Sequence, residues 1–204
     1  MSKVINFPLD AGYRMPFTDD MILALDDGLK VETRRPAKYK TSGELAKCPY
    51  GQRGDLILIT GAHIFLAKDG TIATERKDRN RLVYRVDWTG EIEVPEWRPP
   101  MFLPKDSVNR VVMNDGVSLV KLCDITEEQA ITEGIRKVRK GVGGAAEPFF
   151  TWDPRSKIFF TTARAAFEDL WNNIYGERGL FFGTNPDVWR IKLAKVDPEK
   201  LKCR

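Results

Sequence analysis

The 204 residues are 42% apolar and 30% charged, enough apolar material to bury a core in one globular unit, with or without insertions. A formal net charge of +4 from 33 basic and 29 acidic residues is too small to name an anionic partner, so any such case rests on local clustering. No stretch approaches the roughly 18 apolar residues of a membrane span, and the N-terminal "MSKVINFPLDAGYRMPF" lacks an apolar signal region.

Residues 17–27, "FTDDMILALDD", begin with N-cap chemistry at Thr18-Asp19-Asp20 and place Met21, Ile22 and Leu25 at helical spacing. The pattern predicts a short helix ending at Gly28, where a left-handed residue lets the chain turn sharply into Lys30 to Arg35. Pro36 stops any further helix. Turns are expected at Pro49-Tyr50-Gly51 and Arg53-Gly54-Asp55, followed by a strand from Leu56 to Thr60, a bend or a bulge at Gly61 and an apolar run from Ala62 to Ala67. "KDGTIATERKDRN" reads as a turn and a solvated mixed-charge loop, and "RLVYRVDW" as an alternating strand.

Four prolines make residues 95–107 an extended ordered loop. "VNRVVMNDGVSLVKLC" reads as strand, turn and strand, because Asn114-Asp115-Gly116 offers hairpin chemistry, or else as a bulge in one longer ribbon. "DITEEQAITEGI" predicts a short helix capped by Asp124 or Thr126 and stopped by Gly134. Residues 136–157 are basic and then glycine-rich, and look like an inserted mobile loop. "TTARAAFEDLWNNIYG" carries an apolar stripe through Ala166, Phe167, Leu170, Trp171 and Ile174, and "NPDVWRIKLAKV" reads as a terminal strand.

The three cysteines, Cys48, Cys123 and Cys203, are far apart and odd in number, which argues against a disulfide framework and for a reducing cytoplasm. His63 is the only histidine and lies in an apolar run as a packing residue. No metal or dinucleotide motif is present, so no cofactor is expected. Short strands mixed with small helices and many turns imply an α+β domain built on a small mixed sheet or barrel.

The order of "DDMILALDDGLKVETRRP", "CPYGQRGDLILI", "VKLCDITEEQAITEGI" and "FEDLWNNIYGERGL…NPDVWRIKL" resembles the ASCH domain, in the form common in phage and prophage genomes. The resemblance is most specific in G-x-K-x-x-T-x-R at Gly28–Arg35, Y-G-x-x-G-D at Tyr50–Asp55 and I-T-x-E-x-A-x-x-E-G at Ile125–Gly134. It implies a single domain over 1–204, a small PUA-like mixed β-barrel flanked by short helices, with loop insertions at about 68–110 and 136–160. It further implies binding of RNA or a modified nucleoside beside the basic turn, in the cytoplasm of a bacterial host. A clade of such domains hydrolyses N4-acetylcytidine with a lysine, a threonine and a glutamate. These correspond here to Lys30, Thr33 and Glu133, although Arg34 stands where that clade has an apolar residue. Single-strand RNA cleavage in the same cleft and a protein-interaction role without catalysis are the alternatives.

Chemistry gives these residues work with or without the resemblance. Neighbouring cations Arg34 and Arg35 disfavour the ammonium of Lys30 and make it available as a base, Thr33 offers a nucleophile or orients a water, and Glu133 can pass a proton to a leaving amine. For binding, Arg34 and Arg35 offer forks to phosphate, Tyr50 or Trp97 a stacking face, and Arg136, Lys137, Arg139 and Lys140 a second basic run. The bland readings are solvated charges near a helix C-terminus for Lys30 and Arg35, an ordinary strand residue for Thr33 and a surface carboxylate for Glu133.

Overall fold

Thr18 accepts a hydrogen bond from the Met21 amide at 3.4 Å, and from that cap the first helix runs as the apolar spacing requires. The computed structural model describes residues 12–90, 93–139 and 148–196. In chain order the elements are β1 (Tyr13–Pro16), α1 (Asp19–Asp26), β2 (Glu32–Pro36), β3 (Leu56–Thr60), β4 (His63–Leu66), β5 (Arg81–Tyr84), β6 (Val111–Lys121), α2 (Glu127–Thr132), β7 (Arg136–Arg139), β8 (Pro148–Thr151), α3 (Ala163–Tyr175) and β9 (Asp187–Lys195). The fold is α+β, with a five-stranded mixed sheet in the order β1-β3-β6-β9-β2. Among the described residues this sheet ends at β1 and β2, so the expected barrel is not closed. No helix among the described residues is long and apolar enough to cross a membrane.

The chain forms two compact units. Among the described residues, one takes in 12–23, 55–90, 93–113 and 195–196. Here β1 runs parallel to β3, and β3 pairs antiparallel with the start of β6, Ile57 opposite Val112. Met15, Ile57, Leu58, Ile59, Tyr84 and Leu103 are fully buried, and each apolar side chain so enclosed contributes on the order of 1.5–3 kcal/mol. β3 stops at Thr60 and β4 starts at His63, and between them Gly61 leaves room for its neighbours: a Cβ there would lie 2.4 Å from Ile22 Cδ1. The proline-rich segment is an ordered loop with short 3₁₀ turns at Pro100–Phe102 and Lys105–Ser107, held by the Arg14 guanidinium, which donates to the carbonyls of Met101 and Leu103. β5 is shorter than its alternating pattern suggests, because the chain leaves the strand at Tyr84 for a 3₁₀ turn over Arg85–Asp87.

The other unit comprises Ala24–Gly54 and Asn114–Ala194. Four residues of the predicted α3 stripe, Ala166, Phe167, Leu170 and Trp171, are buried, as is Tyr175, while Ile174 of that stripe is only half-buried; Val188, Ile191 and Leu193 of β9 are buried as well. Trp171 meets its polar requirement by donating Nε1–H to the Leu180 carbonyl at 2.7 Å. Trp189 is only half-buried. The Glu127 carboxylate accepts from the Ala163 and Arg164 amides, placing negative charge at the start of α3, where the helix dipole favours it.

Two expectations are corrected. Of the two readings of Asn114-Asp115-Gly116 the hairpin fails and the longer ribbon holds, since these residues are part of one eleven-residue strand, β6. The Asn114 side chain explains it: Oδ1 accepts the Gly116 amide at 3.0 Å, Nδ2 donates to the Tyr50 carbonyl at 3.1 Å, and the backbone carbonyl accepts from Gly54 at 2.7 Å. Turn chemistry is thus spent on fastening the 50–54 turn. Of the loop expected over 136–157, residues 136–139 and 148–151 are strands instead, β7 and β8 forming a two-stranded sheet with Lys137 opposite Phe150, and residues 140–147 lie outside the described residues.

Candidate functional site

Gly28, at φ +75°, ends α1, and the Leu29 and Lys30 amides both return to the Ala24 carbonyl at 2.9 Å. That reversal brings Lys30 against the end of α2. There Thr126 and Gln129 complete a reciprocal capping box, and the helix closes at Glu133 before Gly134, at φ +104°. A Cβ on Gly134 would lie 2.8 Å from Ala24 Cβ and 3.4 Å from Lys30 Cβ, so glycine is what permits the close approach. Lys30 and Glu133 pair backbone to backbone, and Lys30 Nζ donates to the Glu133 carbonyl at 2.7 Å and to Oε2 at 2.8 Å. Their side chains are 0% and 3% exposed.

The ion pair continues outward. Arg34 Nη1 donates to Glu133 Oε1 at 3.0 Å and to Glu32 Oε1 at 2.9 Å, and Nη2 donates to Gln129 Oε1 at 2.7 Å. Glu32 Oε2 accepts from Arg190 Nε at 2.9 Å and Nη2 at 2.7 Å. The cross-strand register places Arg34 directly opposite Arg190, a like-charge pair that Glu32 separates by giving one oxygen to each. Charges therefore alternate along Lys30, Glu133, Arg34, Glu32 and Arg190. A groove of about 380 Å³, with Glu32, Gln129, Thr132, Arg190 and Lys192 among its walls, opens beside the Arg190 end.

Strand alternation gives Thr33 and Arg35 the opposite face of β2 from Glu32 and Arg34. Arg35 Nη1 donates to the Tyr175 hydroxyl at 3.0 Å. Burial pulls the Arg35 guanidinium down, but the phenol oxygens of Tyr175 and Tyr50, with Glu133, more than offset it, and its proton is held above the ordinary arginine range. Tyr50 is half-buried, and desolvation raises its phenol against the opposing pull of Arg35. The Thr33 hydroxyl is buried and has no hydrogen-bond partner among the described residues.

Of the sequence-derived set, Lys30 and Glu133 meet, while Thr33 bonds to neither. The Lys30 ammonium is disfavoured, as expected, but the leading cause is burial. Glu133 opposes it, and Arg35 adds a smaller push in the same direction. Lys30 and Arg35 are not solvated charges, and Arg34 spends three hydrogen bonds on protein acceptors. Trp97 packs edge-on to Trp88 at 6.2 Å in the apolar cluster of Ile64, Leu66 and Val83. Arg136 pairs with Asp27 at 2.6 Å, Lys137 and Arg139 are exposed on β7, and Lys140 lies outside the described residues. Sequence reasoning missed Glu32, Gln129, Tyr175 and Arg190. The two-residue spacing of Glu32 and Arg34 was the visible signal, but Arg190 enters only through the register. Comparison with protein-family models, with curated proteins and with solved structures gives no match for this chain.

Proposed function

We propose that this protein binds a nucleobase or modified nucleoside, free or within RNA, at the face of β2 that carries Thr33 and Arg35. The five-stranded sheet is read as part of a PUA-like fold, as the resemblance to ASCH domains implies. The observation that carries the reading is the buried Thr33 hydroxyl without a partner. An unsatisfied buried hydroxyl costs on the order of 1–3 kcal/mol unless something bonds to it. A base edge supplies that bond, and the half-buried Tyr50 ring offers a face for stacking beside Arg35 and Tyr175. Calorimetric titration with cytidine and N4-acetylcytidine tests this. Binding that weakens roughly tenfold or more in Tyr50→Ala and Thr33→Val supports it, and absence of binding to the wild type refutes it.

The Lys30–Glu133 contact favours a second reading, hydrolysis of an N4-acylated cytidine. A deprotonated Lys30 amine takes a proton from an attacking water, whose oxygen bonds to the acyl carbon. Lys30 passes that proton through the Glu133 carboxylate, 2.8 Å away, to the departing N4 as the C–N bond breaks, leaving a carboxylic acid and cytidine. Release of acetate from N4-acetylcytidine, absent in Glu133→Gln, tests this separately from binding.

A further inference from the structure

β4 and β5 form a two-stranded antiparallel sheet in which His63 lies opposite Tyr84 and Phe65 opposite Leu82. Alternation turns Ile64 and Leu66 into an apolar cluster with Val83, leaving His63 and Phe65 on the other face, their rings edge-to-face at 5.7 Å. Two arginines converge on that face. The Arg79 guanidinium lies over the Phe65 ring at 4.7 Å, and Arg98 pairs with His63 through both backbone hydrogen bonds, at 3.1 and 2.9 Å. Arg98 Nη2 reaches the Thr74 carbonyl at 3.4 Å. Burial and the fields of Arg98 and Arg76 lower the affinity of Arg79 for its own proton.

Among the described residues, no carboxylate forms an ion pair with Arg76, Arg79 or Arg98. Of the acids on the same loop, Asp69 accepts from the Thr71 amide and hydroxyl at 3.0 and 2.7 Å, Glu75 pairs with Lys77 at 2.8 Å, and Asp78 forms no ion pair among the described residues. Arg79 Nε is buried without a partner. A cavity of about 620 Å³ adjoins it, with Lys68, Thr71, Lys77 and Arg79 in its wall alongside Asp69 and Asp78; Arg76 and Arg98 lie outside that wall, and Arg98 reaches it only through its bond to the Thr74 carbonyl. With no ion-paired carboxylate among the described residues, Arg98 and Arg76 act on Arg79 as like charges that repel it.

We propose that Arg76, Arg79 and Arg98 form a phosphate-binding site, taking the phosphate groups of a nucleotide or of a nucleic-acid strand. Phosphate fits better than carboxylate because several guanidinium forks need more than two acceptor oxygens. The site stands apart from the reading of β2 and involves none of its residues.

Two probes separate the sources of phosphate. Pyrophosphate is titrated calorimetrically into the full chain, and a labelled single-stranded RNA is followed by fluorescence anisotropy at rising salt. Binding of either that weakens roughly tenfold or more in Arg98→Gln and in Arg76→Gln supports the proposal. Pyrophosphate binding points to nucleotides, and salt-sensitive RNA binding to a strand. Because Arg79 also packs on Phe65, Arg76→Gln, at an exposed position, serves as the variant least able to disturb folding. His63, the only histidine, supplies a second readout: its imidazole resonance moves on pyrophosphate addition in the wild type and not in Arg98→Gln. Failure of the wild type to bind either probe, or binding unchanged in both variants, overturns the proposal.

Discussion

Lys30 Nζ stands 2.8 Å from Glu133 Oε2, a contact between residues 103 positions apart, with both side chains shut away from solvent. Each charge is tolerated inside because the other is there. Breaking such a pair from one side leaves an uncompensated charge and costs about 3–5 kcal/mol, whereas replacing both partners by apolar groups costs much less. Urea unfolding of Lys30→Met, Glu133→Leu and the double variant is expected to show the double losing clearly less than the two singles combined. Additive losses would mean the pair is not coupled.

The titration of Lys30 gives a pH signature. Burial holds its pKa below the ordinary value of about 10.4, so between the folded value and the ordinary one the unfolded chain binds more protons. Stability therefore rises with pH across that window, as the folded state gives up a proton it holds unwillingly. In Lys30→Met this rising component is absent. Melting temperatures of the two proteins across the alkaline range are expected to diverge with that sign, and parallel curves would contradict it.

Thr33→Val separates stability from function. Its hydroxyl is buried without a partner, so removing it in an isosteric change is expected to leave stability unchanged or raise it by about 1 kcal/mol. Nucleoside binding is expected to fall in the same variant. A loss of stability in urea would show that the hydroxyl is satisfied after all.

Gly134→Ala addresses the approach of α2 to Lys30. At φ +104°, with Ala24 Cβ 2.8 Å from the added methyl, the substitution strains the backbone and forces a shift. A loss of about 1–3 kcal/mol is expected in thermal or chemical unfolding, with the Lys30–Glu133 coupling reduced in the same background.

α2 was legible almost residue by residue, because Thr126 and Gly134 act on their own neighbours and caps are local chemistry. The same locality misled at Asn114-Asp115-Gly116, where turn-forming residues serve a partner at Tyr50, far away in the sequence. Lys30 and Glu133 could be paired from the family resemblance but not from spacing. Arg190 could not be found at all without the β2–β9 register, which depends on which strands become neighbours. Nor does a run of cations say whether it is solvated or buried. Arg34 reads as a phosphate fork until Glu32, two residues earlier, is seen to occupy it.

The alternating chain from Lys30 to Arg190 contains three basic and two acidic side chains. With Lys30 protonated the buried array carries one surplus positive charge, and with Lys30 as a free amine it balances. The interior thus differs between its two electrical states by a single proton, held at the end furthest from solvent. Any anion or electron-rich group that arrives next to Lys30 tips that balance toward the protonated form, and its departure releases the proton again.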